Sequence, residues 1–87
     1  MGYYTYILFA KDKKLYIGYS TNLKQRFEKH TTGKVRSTKH RRPLKLIHYE
    51  YFINKTDAKA REIFLKSGAG HKQIMQFLKR TFGLLQL

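Results

Sequence analysis

The 87-residue chain contains no cysteine. Disulfides and thiolate metal sites are therefore excluded, and redox compartment cannot be read from it. It has a single proline and no low-complexity stretch, so nothing divides it into parts. No apolar run nears the roughly 20 residues of a membrane span. The opening MGYYTYILFA is strand-like with no basic lead-in, so no signal peptide is expected. Tyr6 also breaks the N-myristoylation pattern. A cytoplasmic protein without a membrane partner is the expectation. Acidic residues are the scarcest chemical class, 5 against 19 Lys and Arg, for a formal charge of +14. Such an excess repels itself in a compact chain and points to a polyanionic partner. Nucleic acid ranks ahead of an anionic membrane, because no basic helix with a long clean apolar face stands out.

What is present reads as one small domain over residues 1–82, with a short apolar tail at 83–87. YYTYILFA (3–10) is aromatic and β-branched, and predicts a strand. KDKK (11–14) is a turn, and LYIGYS (15–20) completes a hairpin. Gly18 inside that second strand marks a bulge or a close backbone approach. STNLKQRFEKHTTG predicts a helix capped by Thr21 or Asn22, ended by Gly33, with Leu23 and Phe27 inward. KVRSTKHRR (34–42) is a basic loop closed by Pro43. LKLIHYEYFI (44–53) is a third strand. A helix capped by Thr56 or Asp57 then runs to about Ser67, where Gly68 stops it. AGHKQIMQFLKRTF predicts one last helix. The order is ββαβαα: an α/β domain with a small three-stranded, mostly antiparallel sheet flanked by helices.

Five carboxylates are few enough to weigh singly. Asp12 belongs to a turn and Asp57 to a helix cap. Glu62 has no such explanation: with Ala58 and Leu65 it falls on the stripe of its helix that should be buried. A buried charge costs several kcal/mol unless it is paired or binds a metal. Arg26 and His30 share a face of the first helix, the outline of a phosphate site. Tyr4 and Tyr6 share one face of the first strand, and Tyr16 shares a face of the second with Gly18. A phenol ringed by Arg, Lys and His⁺ can have its pKa lowered and act as a base. Lys34, Arg36, Lys39, His40, Arg41 and Arg42 make the loop a candidate phosphate-contact surface. His40, His48 and His71 lack metal-ligand spacing. No Gly-rich nucleotide loop, serine elbow or His-Glu-x-x-His helix is present.

Together these residues resemble the GIY-YIG nuclease family. Tyr16-Ile17-Gly18 matches the second half of the motif. Tyr4-Thr5-Tyr6 matches the first half, with Tyr4 in place of its glycine. LKQRFEKH resembles the family's helix motif through Arg26 and His30, and AREIFLKS its second helix through Glu62. RSTKHRRPLKL (36–46) is similar to a segment of the small stand-alone members grouped with the N-terminal domain of UvrC. Tyr19 stands where excision-repair relatives often carry Lys, and the late Asn of homing-type relatives is missing. The resemblance implies phosphodiester hydrolysis with one divalent metal, Mg²⁺ or Mn²⁺, held by Glu62. Tyr6 or Tyr16 would be the base, helped by His30, and Arg26 would neutralise transition-state charge. The substrate would be nucleic acid, DNA ahead of RNA, in a setting such as DNA repair, with the loop 34–42 tracking its backbone. A non-catalytic nucleic-acid-binding module is the main alternative, a structural partner of ribosomes or nucleoid a third reading. The leucines of the tail either finish the core or support a weak homodimer.

Overall fold

A computed structural model describes residues 2–85 of the protein. The order is β1 (Tyr3–Phe9), β2 (Leu15–Ser20), α1 (Leu23–Thr31), a single 3-10 turn at Lys39–Arg41, β3 (Lys45–Phe52), α2 (Lys55–Lys66), α3 (Gly68–Phe77) and α4 (Lys79–Leu84). The strands form one antiparallel sheet in the order β2-β1-β3. This is the expected α/β architecture.

The period of two along β1 sorts its side chains between two cores. Tyr6 and Leu8 face α1 and gather Tyr16, Leu23, Phe27 and Leu44 around them. Ile7 faces the other way and packs with Leu65, Ile74, Leu78 and Phe82. The hydroxyl of Thr5 donates to the Ala58 carbonyl at 2.7 Å and seats α2 on the sheet. The carboxylate of Glu50 on β3 takes two bonds from Arg61 of α2, at 2.9 and 3.1 Å, and one contact from His48 at 3.0 Å. Burial pushes the Glu50 carboxyl up, but Arg61 and His48 outweigh it and hold the pKa below the ordinary value.

The helix ends differ in part from their prediction. Asn22 caps α1, its Oδ1 accepting from the Gln25 amide at 3.1 Å, and Gly33 follows at φ +78°. For α2 the cap is Asn54 rather than Thr56 or Asp57; Asn54 Oδ1 accepts from the Asp57 amide at 3.1 Å. Ser67 both closes α2, donating to the Phe64 carbonyl, and opens α3 by accepting from the Gly70 amide. Gly68 thus begins a helix instead of stopping one. The single last helix is two, separated at Leu78, and Ile74, Leu78 and Phe82, at helical spacing across the junction, all reach one core. Leu85 packs on that core and Leu84 is exposed, while residues 86 and 87 of the tail lie outside the described residues.

Gly18 is a close approach: a β-carbon there would run into the ring of Tyr6. The bulge is on β3, where Ile47 is extra between the Ile7–His48 and Leu8–Leu46 pairs. Among the described residues no helix is long and apolar enough to cross a membrane.

Candidate active site

Tyr6 sits at the centre of β1, 1% exposed, with its ring over Gly18. Its hydroxyl lies 2.8 Å from His30 Nε2. His30, in the last turn of α1, is wholly buried, and its Nδ1 lies 2.8 Å from the hydroxyl of Thr38, which is also buried. Thr38 in turn donates to the Val35 carbonyl at 3.4 Å. With that proton committed, Thr38 accepts from His30 Nδ1–H, and Nε2 is left to accept the Tyr6 proton. Tyr6, His30 and Thr38 form a linked polar row inside the fold.

Burial, aided by the positive charge of Arg26, pushes the His30 pKa down to about 4. At neutral pH this group is imidazole, so the expected imidazolium beside the phenols does not form. The expected lowering of the Tyr6 pKa is likewise reversed. Burial raises it, Arg26 opposes, and the neighbouring Tyr16 and Glu62 raise it further. Burial wins because Tyr6 is a core residue as much as a site residue.

Arg26 stands on α1, half-buried, beside Tyr6 and Tyr16; the closeness of the Tyr6 hydroxyl raises its own pKa against the effect of burial. Tyr16 is half-exposed on β2, with its ring centroid 5.0 Å from His30 and 6.4 Å from Tyr6. Glu62 keeps the buried stripe of α2 with Ala58 and Leu65. Its side chain is 15% exposed and pairs with Lys66 at 3.2 Å. Its charge is felt at the Tyr6 hydroxyl. Tyr6, Tyr16, Arg26 and His30 are therefore brought together, with Glu62 close behind. Two clefts open beside them. One of ≈ 660 Å³ runs from Tyr16 to Lys66 and His71. The other, ≈ 310 Å³, lies between Tyr19, Arg26 and Lys29.

The basic loop is more ordered than its composition suggests. Val35 and Thr38 are buried and anchor it. Arg41 reaches back to Asp12 at 2.8 Å and to the Leu15 carbonyl, and holds the Asp12 carboxyl below its usual pKa. Arg42 donates to the carbonyls of Lys39 and Thr31, closing the end of α1. Lys34, Arg36, Lys39 and His40 are exposed.

Two residues beside the site were not among its candidates, Tyr19 having entered only as a departure from the family pattern. Thr38 was hidden among cations, although it is the one small hydroxyl in TKHRR. Tyr19 shows Lys59 Nζ 4.3 Å over its ring and a buried hydroxyl with no partner. An orphaned phenol costs about 1–3 kcal/mol. Tyr19→Phe removes the orphan and keeps the ring, so the melting temperature should hold or rise by a few degrees. A fall would reveal a bond to this hydroxyl that supports the fold.

His30 also sets a pH dependence. Its folded pKa of about 4 lies below the ordinary 6.5, so between those values the unfolded chain binds a proton that the native chain refuses. Stability is therefore full above 6.5 and is lost as pH falls toward 4. The melting temperature should drop across that window, ahead of the losses that Glu50 and Asp12 add at lower pH. A flat profile from pH 7 to 4 would show that His30 titrates as if exposed.

A buried phenol–imidazole pair, a guanidinium beside two phenols and one carboxylate stand on a small antiparallel sheet and the helices that flank it. The chain belongs to the GIY-YIG family, whose catalytic-domain model matches residues 2–74. It is 41% identical over 83 residues to a UPF0213 protein of Pediococcus acidilactici, covering 92% of this chain and 84% of that one. A UPF0213 protein of Staphylococcus haemolyticus is 37% identical over 79 residues, covering 90% and 96%. The solution NMR structure of the UPF0213 protein BH0048 from Bacillus halodurans superposes with a TM-score of 0.58 at 34% identity, covering 88% of this chain and 85% of that one. The family is one of nucleases, so a nucleic-acid partner follows at that level.

Proposed function

We propose that this chain is a metal-dependent endonuclease that hydrolyses phosphodiester bonds, in DNA ahead of RNA. One observation carries the reading: Arg26 stands beside the Tyr6 and Tyr16 phenols, while Glu62 occupies an otherwise apolar stripe of α2 and its charge reaches the Tyr6 hydroxyl. A purely structural role leaves that pair of placements without a reason.

Among the described residues no three His, Asp or Glu side chains converge. The donor set is one carboxylate, which fits a single hard cation that keeps most of its water. Glu62 would hold it, and Lys66 is an i+4 partner that the carboxylate can release. When bound, such a cation supplies charge neutralisation at the phosphate and the leaving oxygen. Tyr16, the more exposed phenol, first gives its own proton to solvent and then, as the phenolate, takes the proton of the attacking water at its Oη. Arg26 offsets negative charge on that oxygen and on the phosphate oxygens. Tyr6 is committed to His30, so it serves as the wall beside Arg26. Lys34, Arg36, Lys39 and His40 follow the nucleic-acid backbone, with Arg41 and Arg42 shaping the loop that carries them. Affinity then falls with salt and reads little sequence.

The test is incubation of purified protein with duplex, single-stranded and branched oligonucleotides in Mg²⁺ or Mn²⁺. Cleavage that chelator abolishes is expected. Tight binding without cleavage on every substrate in both metals would instead identify a binding module. Arg26→Ala should lower turnover about 10²- to 10³-fold, the size of a lost pre-organised electrostatic contact, while affinity changes only a few-fold. Arg26→Lys should not restore it, since an ammonium lacks the planar fork that pairs with two phosphate oxygens at once. Equal losses in turnover and affinity would make Arg26 a phosphate anchor.

A further inference from the structure

We propose that Tyr4, Tyr49 and Tyr51 form a stacking surface for unpaired bases next to the cleaved phosphate, so that this chain favours single-stranded or frayed nucleic acid over continuous duplex. The inference rests on the nuclease reading for the position of the cut; the stacking itself is measured without cleavage.

Tyr49 and Tyr51 are 54% and 51% exposed on the edge strand β3. They are not scattered: Tyr4 lies 6.0 Å from Tyr49 and 5.4 Å from Tyr51, ring to ring, with tilted and edge-on geometry. The three line a groove of ≈ 780 Å³ whose far wall is Phe27 and Lys24 of α1. Exposed phenyl faces around a groove are poor choices for solubility, but they suit the flat faces of nucleobases.

Register links the groove to the site. Tyr49 pairs directly with Tyr6, and Tyr51 with Tyr4. Neighbouring strands lie about 4.8 Å apart, so the aromatic row begins one strand from the buried phenol. Thr21 and Asn22 line both this groove and the cleft that holds Arg26. The two spaces therefore meet around the entry to α1, and one extended strand can occupy both.

Charge selects the occupant. No carboxylate lines the groove, Lys24 stands on its wall, and the chain carries +14. A second copy of so cationic a chain is repelled, whereas a polyanion is drawn in. Bases within a duplex are stacked on one another and offer no free face. The bound segment must therefore be unpaired.

The test is titration, in chelator, of single-stranded oligonucleotides carrying 2-aminopurine, with matched duplexes alongside. Wild type should quench the probe. The double variant Tyr49→Ala/Tyr51→Ala should lose the quench and bind single strands at least about tenfold more weakly, given the usual worth of base–aromatic stacking. Duplex affinity should change less than about twofold. Tyr49→Phe/Tyr51→Phe keeps the rings and should behave as wild type, which separates stacking from hydrogen bonding. Both positions are exposed, and circular dichroism checks the fold. An alanine variant with unchanged single-strand affinity, or with equal losses on duplex, overturns the proposal. Selective loss in a protein that cuts nothing would retire the nuclease reading and leave the stacking surface standing. Cleavage by a protein that shows no selective loss would do the reverse.

Discussion

Glu62→Gln should lower metal-dependent cleavage by about a thousandfold or more, the upper range for removal of one charge-stabilising group, while nucleic-acid affinity stays near wild type. The amide keeps the shape of the side chain and removes its charge. Binding by a chain of +14 is dominated by its cations, so the loss of one negative charge cannot weaken it. The fold should tolerate the change as well. The partner of Glu62 is Lys66, an i+4 pair worth only about 0.3–0.5 kcal/mol. Cleavage kinetics, salt-dependent binding and thermal melting, run on one preparation, separate the three effects. Full cleavage by the variant would place the acidic requirement elsewhere, and among five carboxylates the alternatives are poor. Glu50 is bound by Arg61 and His48, and Asp12 by Arg41.

Glu62 was legible in the sequence because helix geometry alone puts it in register with Ala58 and Leu65, and both are buried. The same kind of local rule marked Gly18 as a bulge or close approach, aligned Arg26 with His30, and narrowed the cap of α1 to Thr21 or Asn22. These are arguments over three or four residues, where the backbone period decides. What failed depended on distant parts of the chain. The charge states of Tyr6 and His30 were misjudged because the count of nearby cations is visible in a sequence and burial is not. Thr38 reaches His30 across the loop, eight residues away, and only the folded loop shows it. Arg41 and Arg42 looked like any other cations in a basic run. The carbonyls and the carboxylate that engage them lie 3 to 29 residues away. The cap of α2 fell to Asn54 because three adequate capping residues stand within four positions, and local preference cannot rank them.

The two phenols should separate under substitution, and that separation decides which one meets the water. Tyr16→Phe should cut turnover about 10²- to 10⁴-fold, the usual contribution of a positioned proton acceptor, with little change in melting temperature. Tyr16 is half-exposed, and its ring contacts with Tyr6 and His30 survive in Phe. Tyr6→Phe should act on the fold as much as on the chemistry. It strips His30 Nε2 of its partner inside a fully buried row, which costs about 1–3 kcal/mol. It also removes one of the two hydroxyls beside Arg26, so a partial loss of turnover should accompany the lower melting temperature. His30 ties the two outcomes together: as a neutral imidazole already bonded on both nitrogens, it has no free site for a further proton while the row is intact. The proton taken from water must therefore stay on Tyr16 or leave to solvent, rather than pass inward through Tyr6. Were Tyr6→Phe the variant with abolished turnover and intact stability, and Tyr16→Phe the mild one, the roles would be exchanged and the buried row would be the proton path.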